Sequence, residues 1–227
     1  MHSSTVLSLQ NITRIYPGPV PVHALSDINL NLAPKEFAAL IGPSGSGKTT
    51  LLNLCGGLDR PSSGQVRIGE RIISELPQGE LCLFRRSHVG FVFQAYNLFS
   101  ELTIVENVEY TSIIRGDNKK EARDRAKKAL IRVGLEQKLS NFPRELSGGQ
   151  QQRVAVARAI ASHPQIIFAD EPTANLDTAT AMDLISLFED LNRELGVTFL
   201  FSTHDPRLIS RVKRVIKLED GKISSSL

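Results

Sequence analysis

The 227-residue sequence contains no tryptophan, only two methionines and two cysteines, and just 6% aromatic residues. Cys55 and Cys82 do not form a close-spaced pair, so neither a disulfide scaffold nor a cysteine-rich zinc site is indicated. A reducing, cytosolic setting is the expectation. Long hydrophobic runs are also missing: Phe37-Ala-Ala-Leu-Ile41 and Ile166-Ile-Phe-Ala169 fall far below the ~18 residues of a bilayer helix. Any membrane role is therefore expected to act through a partner. The N-terminal Met1-His-Ser-Ser-Thr-Val6 lacks a basic segment followed by an apolar core, which argues against a secretory signal. No excess of one charge stands out either. With 27 basic and 24 acidic residues the net charge is +3, too mild to mark a nucleic-acid binder. Repeats, low-complexity tracts and Pro/Gly/Ser-rich linkers are absent. What remains is 41% hydrophobic and 22% charged, at a length that suits one domain spanning 1–227.

Two kinds of strand are legible. Val6-Leu-Ser-Leu9 and Ile28-Asn-Leu-Asn-Leu32 alternate apolar and polar residues, as half-buried antiparallel strands do. Phe37–Ile41, Ile166–Ala169 and Val197-Thr-Phe-Leu-Phe201 are nearly continuous apolar runs, suited to a parallel sheet covered on both faces. Helical spacing marks Lys48–Cys55, stopped by Gly56-Gly57, and Lys120–Val133, stopped by Gly134. A third helix is expected over Thr178–Leu195, with Asp177 as N-cap and Gly196 as stop. The stretch from about 95 to 157 reads as a mainly helical insertion into an α/β core. Its basic run Arg123-Asp-Arg-Ala-Lys-Lys128 is interleaved with Glu121 and Asp124, so a solvated helix face is expected there.

Gly42-Pro-Ser-Gly-Ser-Gly-Lys-Thr49 matches the phosphate-binding pattern G-x-x-x-x-G-K-[ST], between an apolar strand and a helix. A chance match in a chain this long is on the order of one in a hundred. Glycines let the backbone wrap closely enough for N–H groups to face phosphate oxygens, and the helix start adds partial positive charge. The candidate phosphate ligands are Gly42, Pro43, Ser44, Gly45, Ser46, Gly47, Lys48, Thr49 and Thr50. Lys48 is expected to reach the β- and γ-phosphates, and the Thr49 hydroxyl to ligate Mg²⁺. Ile166-Ile-Phe-Ala-Asp170-Glu171 then delivers two carboxylates at the end of an apolar strand, beside the phosphate loop in such sheets. Asp170 suits the magnesium, and Glu171 a water in line with the γ-phosphate as general base. Leu146-Ser-Gly-Gly-Gln150 precedes the helix-like Gln151–Ile160, and its chance match is on the order of once in several thousand such chains. Ser147, the Gly148 and Gly149 amides and Gln150 form a second anion cradle at a helix start.

With these motifs in place, the chain resembles the nucleotide-binding subunit of ATP-binding-cassette transporters along nearly its whole length. The resemblance implies a P-loop NTPase (RecA-like) α/β core with an N-terminal antiparallel β subdomain and an α-helical insertion. It implies ATP and Mg²⁺ as ligands and ATP hydrolysis as the reaction. By the same resemblance Tyr16 matches the aromatic that stacks on adenine, and Gln94 the glutamine that touches magnesium and links to the membrane subunit. Asp177, in Ala174-Asn-Leu-Asp177, matches a segment crossing a dimer interface, a role compatible with capping. His204, in Ser202-Thr-His-Asp205, matches the histidine at the γ-phosphate, joining Glu171 and Lys48 in the implied catalytic set. The other four histidines match nothing.

The arrangement the resemblance implies is a head-to-tail pair of copies, in which the phosphate loop of one and the Leu146–Gln150 segment of the other enclose each ATP. Partners implied are a second copy and transmembrane permease subunits, with no nucleic acid, at the cytoplasmic face of the inner membrane. Gly56-Gly-Leu-Asp-Arg-Pro-Ser-Ser-Gly64, Val92–Leu98 and Asp170–Asp177 are most similar to the lipoprotein-release and macrolide or peptide exporter group. Ala174, where that group more often has glycine, departs from it, as does Thr49 in place of serine. Export or extraction of a substrate is the expected output, and transmembrane signalling without transport is the alternative. Tyr96, Leu98, Phe99 and Leu102 are expected either to form an apolar surface for a short permease helix or to pack inside the insertion.

Overall fold

The computed structural model describes residues 5–226, so the start of the N-terminal stretch weighed as a signal, residues 1–4, lies outside the described residues. Strands β1 (Leu7–Tyr16) and β2 (Val22–Leu32) pair antiparallel, from Leu7 opposite Leu32 to Tyr16 opposite Val22. β3 (Phe37–Ile41) runs into the loop that opens α1 (Lys48–Cys55). β4 (Ser63–Ile68) returns beside β1, and the short β5 (Arg71–Ile72) ends that sheet. α2 (Gln78–His88) leads to β6 (Val89–Val92), after which the chain builds α3 (Ile104–Arg115), α4 (Lys119–Arg132) and α5 (Gly148–Ile160). β7 (Ile166–Asp170), α6 (Thr178–Leu195), β8 (Thr198–Ser202), the single-turn α7 (Pro206–Ile209), β9 (Arg214–Glu219) and β10 (Lys222–Ser226) complete it.

The described strands form two sheets: an antiparallel one in the order β2-β1-β4-β5, and a six-stranded one in the order β10-β9-β3-β8-β7-β6. Five strands of the second, β9 to β6, are parallel, and β10 folds back antiparallel on β9. The β9–β10 turn is Asp220-Gly221, both with positive φ (46° and 72°), the conformation that Asp-Gly hairpins supply.

The continuous apolar runs are buried on both faces because successive side chains enter different cores. Phe37 and Ala39 of β3, Ile167 of β7 and Phe199 and Phe201 of β8 face a core shared with α3 to α6. Ala38, Leu40, Ile166, Phe168 and Leu200 face the opposite core, closed by α1 and the antiparallel sheet. α6 caps the first core with Phe188, whose ring meets Phe199 and Phe201 edge-on at 5.5 and 5.3 Å. Phe188 is fully buried. Phe188→Ala is therefore expected to lower unfolding free energy by about 3–5 kcal/mol, checked by urea denaturation.

Candidate active site

Loop 42–47 follows β3 and is shaped by what cannot fit. A Cβ at Gly42 would lie 2.1 Å from the Leu218 carbonyl oxygen of β9, so only glycine allows the loop this close to its neighbour strand. Gly45 and Gly47 take left-handed conformations (φ 80° and 101°). Gly47 is the N-cap of α1 and supplies no side-chain cap, which leaves the first-turn N–H groups of the helix open to an anion. The Lys48 Nζ donates to the Gly42 and Pro43 carbonyls at 2.8 and 2.9 Å, folded back across its own loop.

Across the sheet, the Thr49 hydroxyl donates to Asp170 Oδ2 at 2.9 Å, while Asp170 Oδ1 is buried without a hydrogen-bond partner. An unmatched carboxylate oxygen beside a hydroxyl is a pair of hard oxygen donors that a magnesium ion would suit. No group of three or more His, Cys, Asp or Glu side chains able to hold a metal occurs among the described residues. Such a cation would thus be completed by phosphate oxygens, the usual situation for Mg²⁺ on a nucleotide. Glu171 follows with φ 45°, in the left-handed region, and its amide donates to the Ser202 carbonyl at 2.8 Å. Its Oε1 lies 2.8 Å from His204 Nδ1, and its Oε2 is buried and unpartnered. The His204 side chain is 76% exposed against 17% for Glu171.

Tyr16, Gly42, Pro43, Ser44, Gly45, Gly47, Lys48, Thr49, Thr50, Gln94, Asp170, Glu171 and His204 line one cleft of about 800 Å³. Ser46 is buried in the loop, with a hydroxyl that lacks a partner. The cleft also takes in His23 and Ser202, which sequence reasoning left out; no motif marks His23, and Ser202 merely precedes the histidine segment.

Ser147, Gly148, Gly149 and Gln150 lie elsewhere, outside that lining. There the Ser147 hydroxyl accepts from the Gln150 amide at 3.3 Å, and the Gln150 side chain accepts from the Ser147 amide at 3.1 Å. The segment is a capping box on α5. A Cβ at Gly149 would come 2.2 Å from Thr180 Cγ2, so glycine there serves the approach of α5 to α6. Asp177 caps α6, accepting from the Thr180 amide at 3.0 Å and hydroxyl at 2.6 Å. The Thr180 hydroxyl and amide hold its carboxyl below the ordinary range.

The expected apolar surface around residue 98 is only partly exposed. Leu98 packs against the main core, whereas Phe99 is 47% exposed and meets the Tyr110 ring at 5.2 Å. A residue not foreseen, Arg158 of α5, donates to the carbonyls of Tyr96 (2.8 Å) and Asn97. Both have positive φ, and burial lowers the Arg158 guanidinium below its ordinary pKa. Arg158 thereby anchors the segment just after Gln94 to the helix that Ser147 caps.

The sequence pattern of the ABC transporter family matches residues 25–174. The lipoprotein-releasing system ATP-binding protein LolD of Chromohalobacter salexigens is 43% identical over 224 residues, 98% of this chain and 94% of that protein. The macrolide export ATP-binding/permease protein MacB of Marinobacter nauticus is 45% identical over 98% of this chain, which spans only 35% of that longer protein. A solved dimeric structure of the ATP-binding cassette MJ0796, in a post-hydrolysis state bound to ADP and Pi, superposes with a TM-score of 0.89 at 42% identity, covering 97% of each chain. The chain belongs to the ABC transporter family, as one of its ATPase cassettes. No helix among the described residues is long and apolar enough to cross a membrane.

Asp205 straps the loop after β7 to the loop after β8. It accepts from the Thr173 hydroxyl at 2.6 Å and from the Arg207 guanidinium at 2.8–3.1 Å. Burial pushes its pKa up, but the Arg207 and Thr173 hydrogen bonds outweigh it and bring the value from 3.8 down to about 2. A carboxylate depressed in the folded state stabilises above its unfolded pKa and loses that contribution as pH falls through the folded one. Asp205→Ala is expected to cost about 2 kcal/mol at pH 7. By chemical denaturation, the gap to the parent protein should close between pH about 4 and about 2.

Proposed function

We propose that this cassette is the ATP-hydrolysing subunit of an export or extraction transporter, working as a head-to-tail pair of copies beneath separate permease subunits at the cytoplasmic face of the inner membrane. The chain is read as one cassette domain over 1–227, with the helices between β6 and β7 as its insertion. The observation that carries the proposal is the division of the motifs. Lys48, Thr49, Asp170, Glu171, Gln94 and His204 share one cleft, whereas Ser147–Gln150 stay outside it.

In this reading the phosphates lie against the loop amides and the α1 N-terminus, and the Lys48 Nζ leaves the Gly42 and Pro43 carbonyls for the β- and γ-phosphates. Thr49, Asp170 and Gln94 would hold the magnesium, which when bound neutralises charge on the phosphates. Glu171 takes the proton of the attacking water, while His204 steadies its Oε1 and faces the γ-phosphate. Tyr16 stacks on the adenine. Ser147, Gly148, Gly149 and Gln150 of the second copy close over the nucleotide, with Asp177 at the shared boundary. A second cleft of about 510 Å³, lined by Leu58, Arg85, Phe91, Phe93, Ile114 and Arg158, is read as the seat of a permease helix. Arg158 would tie that seat to the Gln94 segment. Both relatives named above are release or export proteins, which weighs against a purely signalling role.

Glu171→Gln is expected to bind ATP, to lose turnover by about 10²-fold or more, and to accumulate ATP-bound dimers in light scattering. Undiminished turnover would move the general base to His204. Lys48→Ala should bind no nucleotide and remain monomeric. Ser147→Trp should bind ATP as a monomer without closing, and dimer formation by that variant would refute the role given to the segment.

A further inference from the structure

Tyr16 closes β1, and its ring is held by groups outside the nucleotide cleft. The Arg14 guanidinium lies over the ring, its Cζ 4.4 Å from the centroid. The Tyr16 hydroxyl donates to Asp59 Oδ2 at 2.9 Å. The other oxygen of the same carboxylate receives Arg14 Nη2 at 2.9 Å and the Arg60 amide at 2.7 Å. One carboxylate thus fixes both the phenol and the cation that backs it. Tyr16 lines the cleft, whereas Arg14, stacked on its ring, is not part of the lining.

The source of Asp59 gives this arrangement its reach. Gly56 ends α1, and the Leu58 and Asp59 amides both return to the Asn53 carbonyl, at 2.8 and 3.3 Å. Three residues on, Ser62 staples the segment to β1: its amide donates to the Thr13 carbonyl at 2.8 Å and its hydroxyl accepts from the Ile15 amide at 3.0 Å. α1 therefore carries the phosphate grip, Lys48 and Thr49, at its first turn and the Asp59 clasp just past its last. The helix, about 12 Å long, links the two.

We infer that Asp59, with Arg14, is a positioning residue for base recognition: the pair holds the Tyr16 ring as a stacking platform at a set distance from the phosphate loop. A guanidinium over one face draws on the ring's negative quadrupole, which makes the open face a better partner for an electron-rich purine. The Asp59 bond removes rotamer freedom that the half-exposed tyrosine would otherwise lose on binding. This inference rests on the reading of Tyr16 as the adenine-stacking residue.

The test uses two ligands that neither turn over nor need a second γ-phosphate site: ADP, which has a base, and inorganic pyrophosphate, which does not. Both are titrated calorimetrically into the full chain and its variants. Asp59→Ala should weaken ADP about tenfold and pyrophosphate less than about twofold, because only stacking is lost. Arg14→Met, which keeps the stem and removes the cation, should weaken ADP alone by about two- to fivefold. In a Tyr16→Ala background, Asp59→Ala should add nothing further. Asp59→Asn, which keeps an acceptor for the phenol but not the charge, should fall between wild type and Asp59→Ala, and it serves if the alanine variant does not fold. Equal weakening of both ligands would make Asp59 a structural staple only and overturn the inference, as would unchanged ADP binding in the presence of a Tyr16→Ala effect. If Tyr16→Ala itself leaves ADP and pyrophosphate in their original ratio, the stacking reading of Tyr16 is what fails, and the positioning role falls with it.

Discussion

Alignment of three parallel strands is the constraint on which the rest of the molecule depends. Leu40 of β3 pairs with Ser202 of β8, and Ser202 pairs with Asp170 of β7, so the carboxyl ends of all three strands finish in one row. Just beyond that row the backbone keeps its grip: Thr203 donates to the Leu40 carbonyl at 3.1 Å and Glu171 to the Ser202 carbonyl at 2.8 Å. Residues separated by more than a hundred positions, Thr49 and Asp170 among them, thereby meet at hydrogen-bond distance. Register is enforced by burial. A slip of one residue would move Phe37, Phe199 and Phe201 out of the core that holds Phe188 and into the one that holds Phe168.

That rigidity is set against a site left electrostatically incomplete. Ser46 Oγ, Asp170 Oδ1, Glu171 Oε2 and Ser202 Oγ are buried polar atoms without partners, and all belong to the loop or the strand ends around one cleft. Each such group costs on the order of 1–3 kcal/mol when left unmatched, and the left-handed backbone at Glu171 adds strain of similar size. Lys48 meanwhile spends its donors on its own loop carbonyls. In the proposed reading, a polyanion with its cation would bring charge and polar partners to this same cleft.

Much of this was legible from local pattern. The runs at 37–41 and 166–169 mark central strands because both faces are apolar, and Lys48–Cys55 and Thr178–Leu195 are helices with the bounds their spacing indicates. The strand read at 197–201 runs one residue later, 198–202, and the helix read at 120–133 spans Lys119–Arg132. What escaped were elements whose signal is weak or distributed. β6 has four residues, β5 two, and β10, Lys-Ile-Ser-Ser-Ser, is mostly polar at a sheet edge, so periodicity had little to act on. Asp220-Gly221 was the readable clue to that hairpin. Leu98 shows the limit from the other side, since an apolar residue in a loop can be core or surface, and only the packing of α3 and α5 decides. Contacts such as Asp59 with Tyr16 and Arg158 with Tyr96 join segments that no motif spans.

In the proposed pair, the Ser147 segment is what one copy would lend to the other. Its hydroxyl and the Gln150 side chain cap their own helix, over bonds of 3.3 and 3.1 Å at the long end of the hydrogen-bond range. A cap of this kind contributes about 1 kcal/mol. A charge-assisted hydrogen bond to phosphate is roughly twice as strong as a neutral one, so in the proposed pair a nucleotide held by the other copy would compete with the cap for these groups. That competition is local, yet α5 also carries Arg158, whose guanidinium holds the Tyr96 and Asn97 carbonyls next to Gln94. In the proposed pair, any shift of α5 toward a nucleotide would therefore drag the Gln94 segment and the flank of the second cleft with it. Chemistry at one surface would then become displacement at another through a single helix with a polar grip at each end.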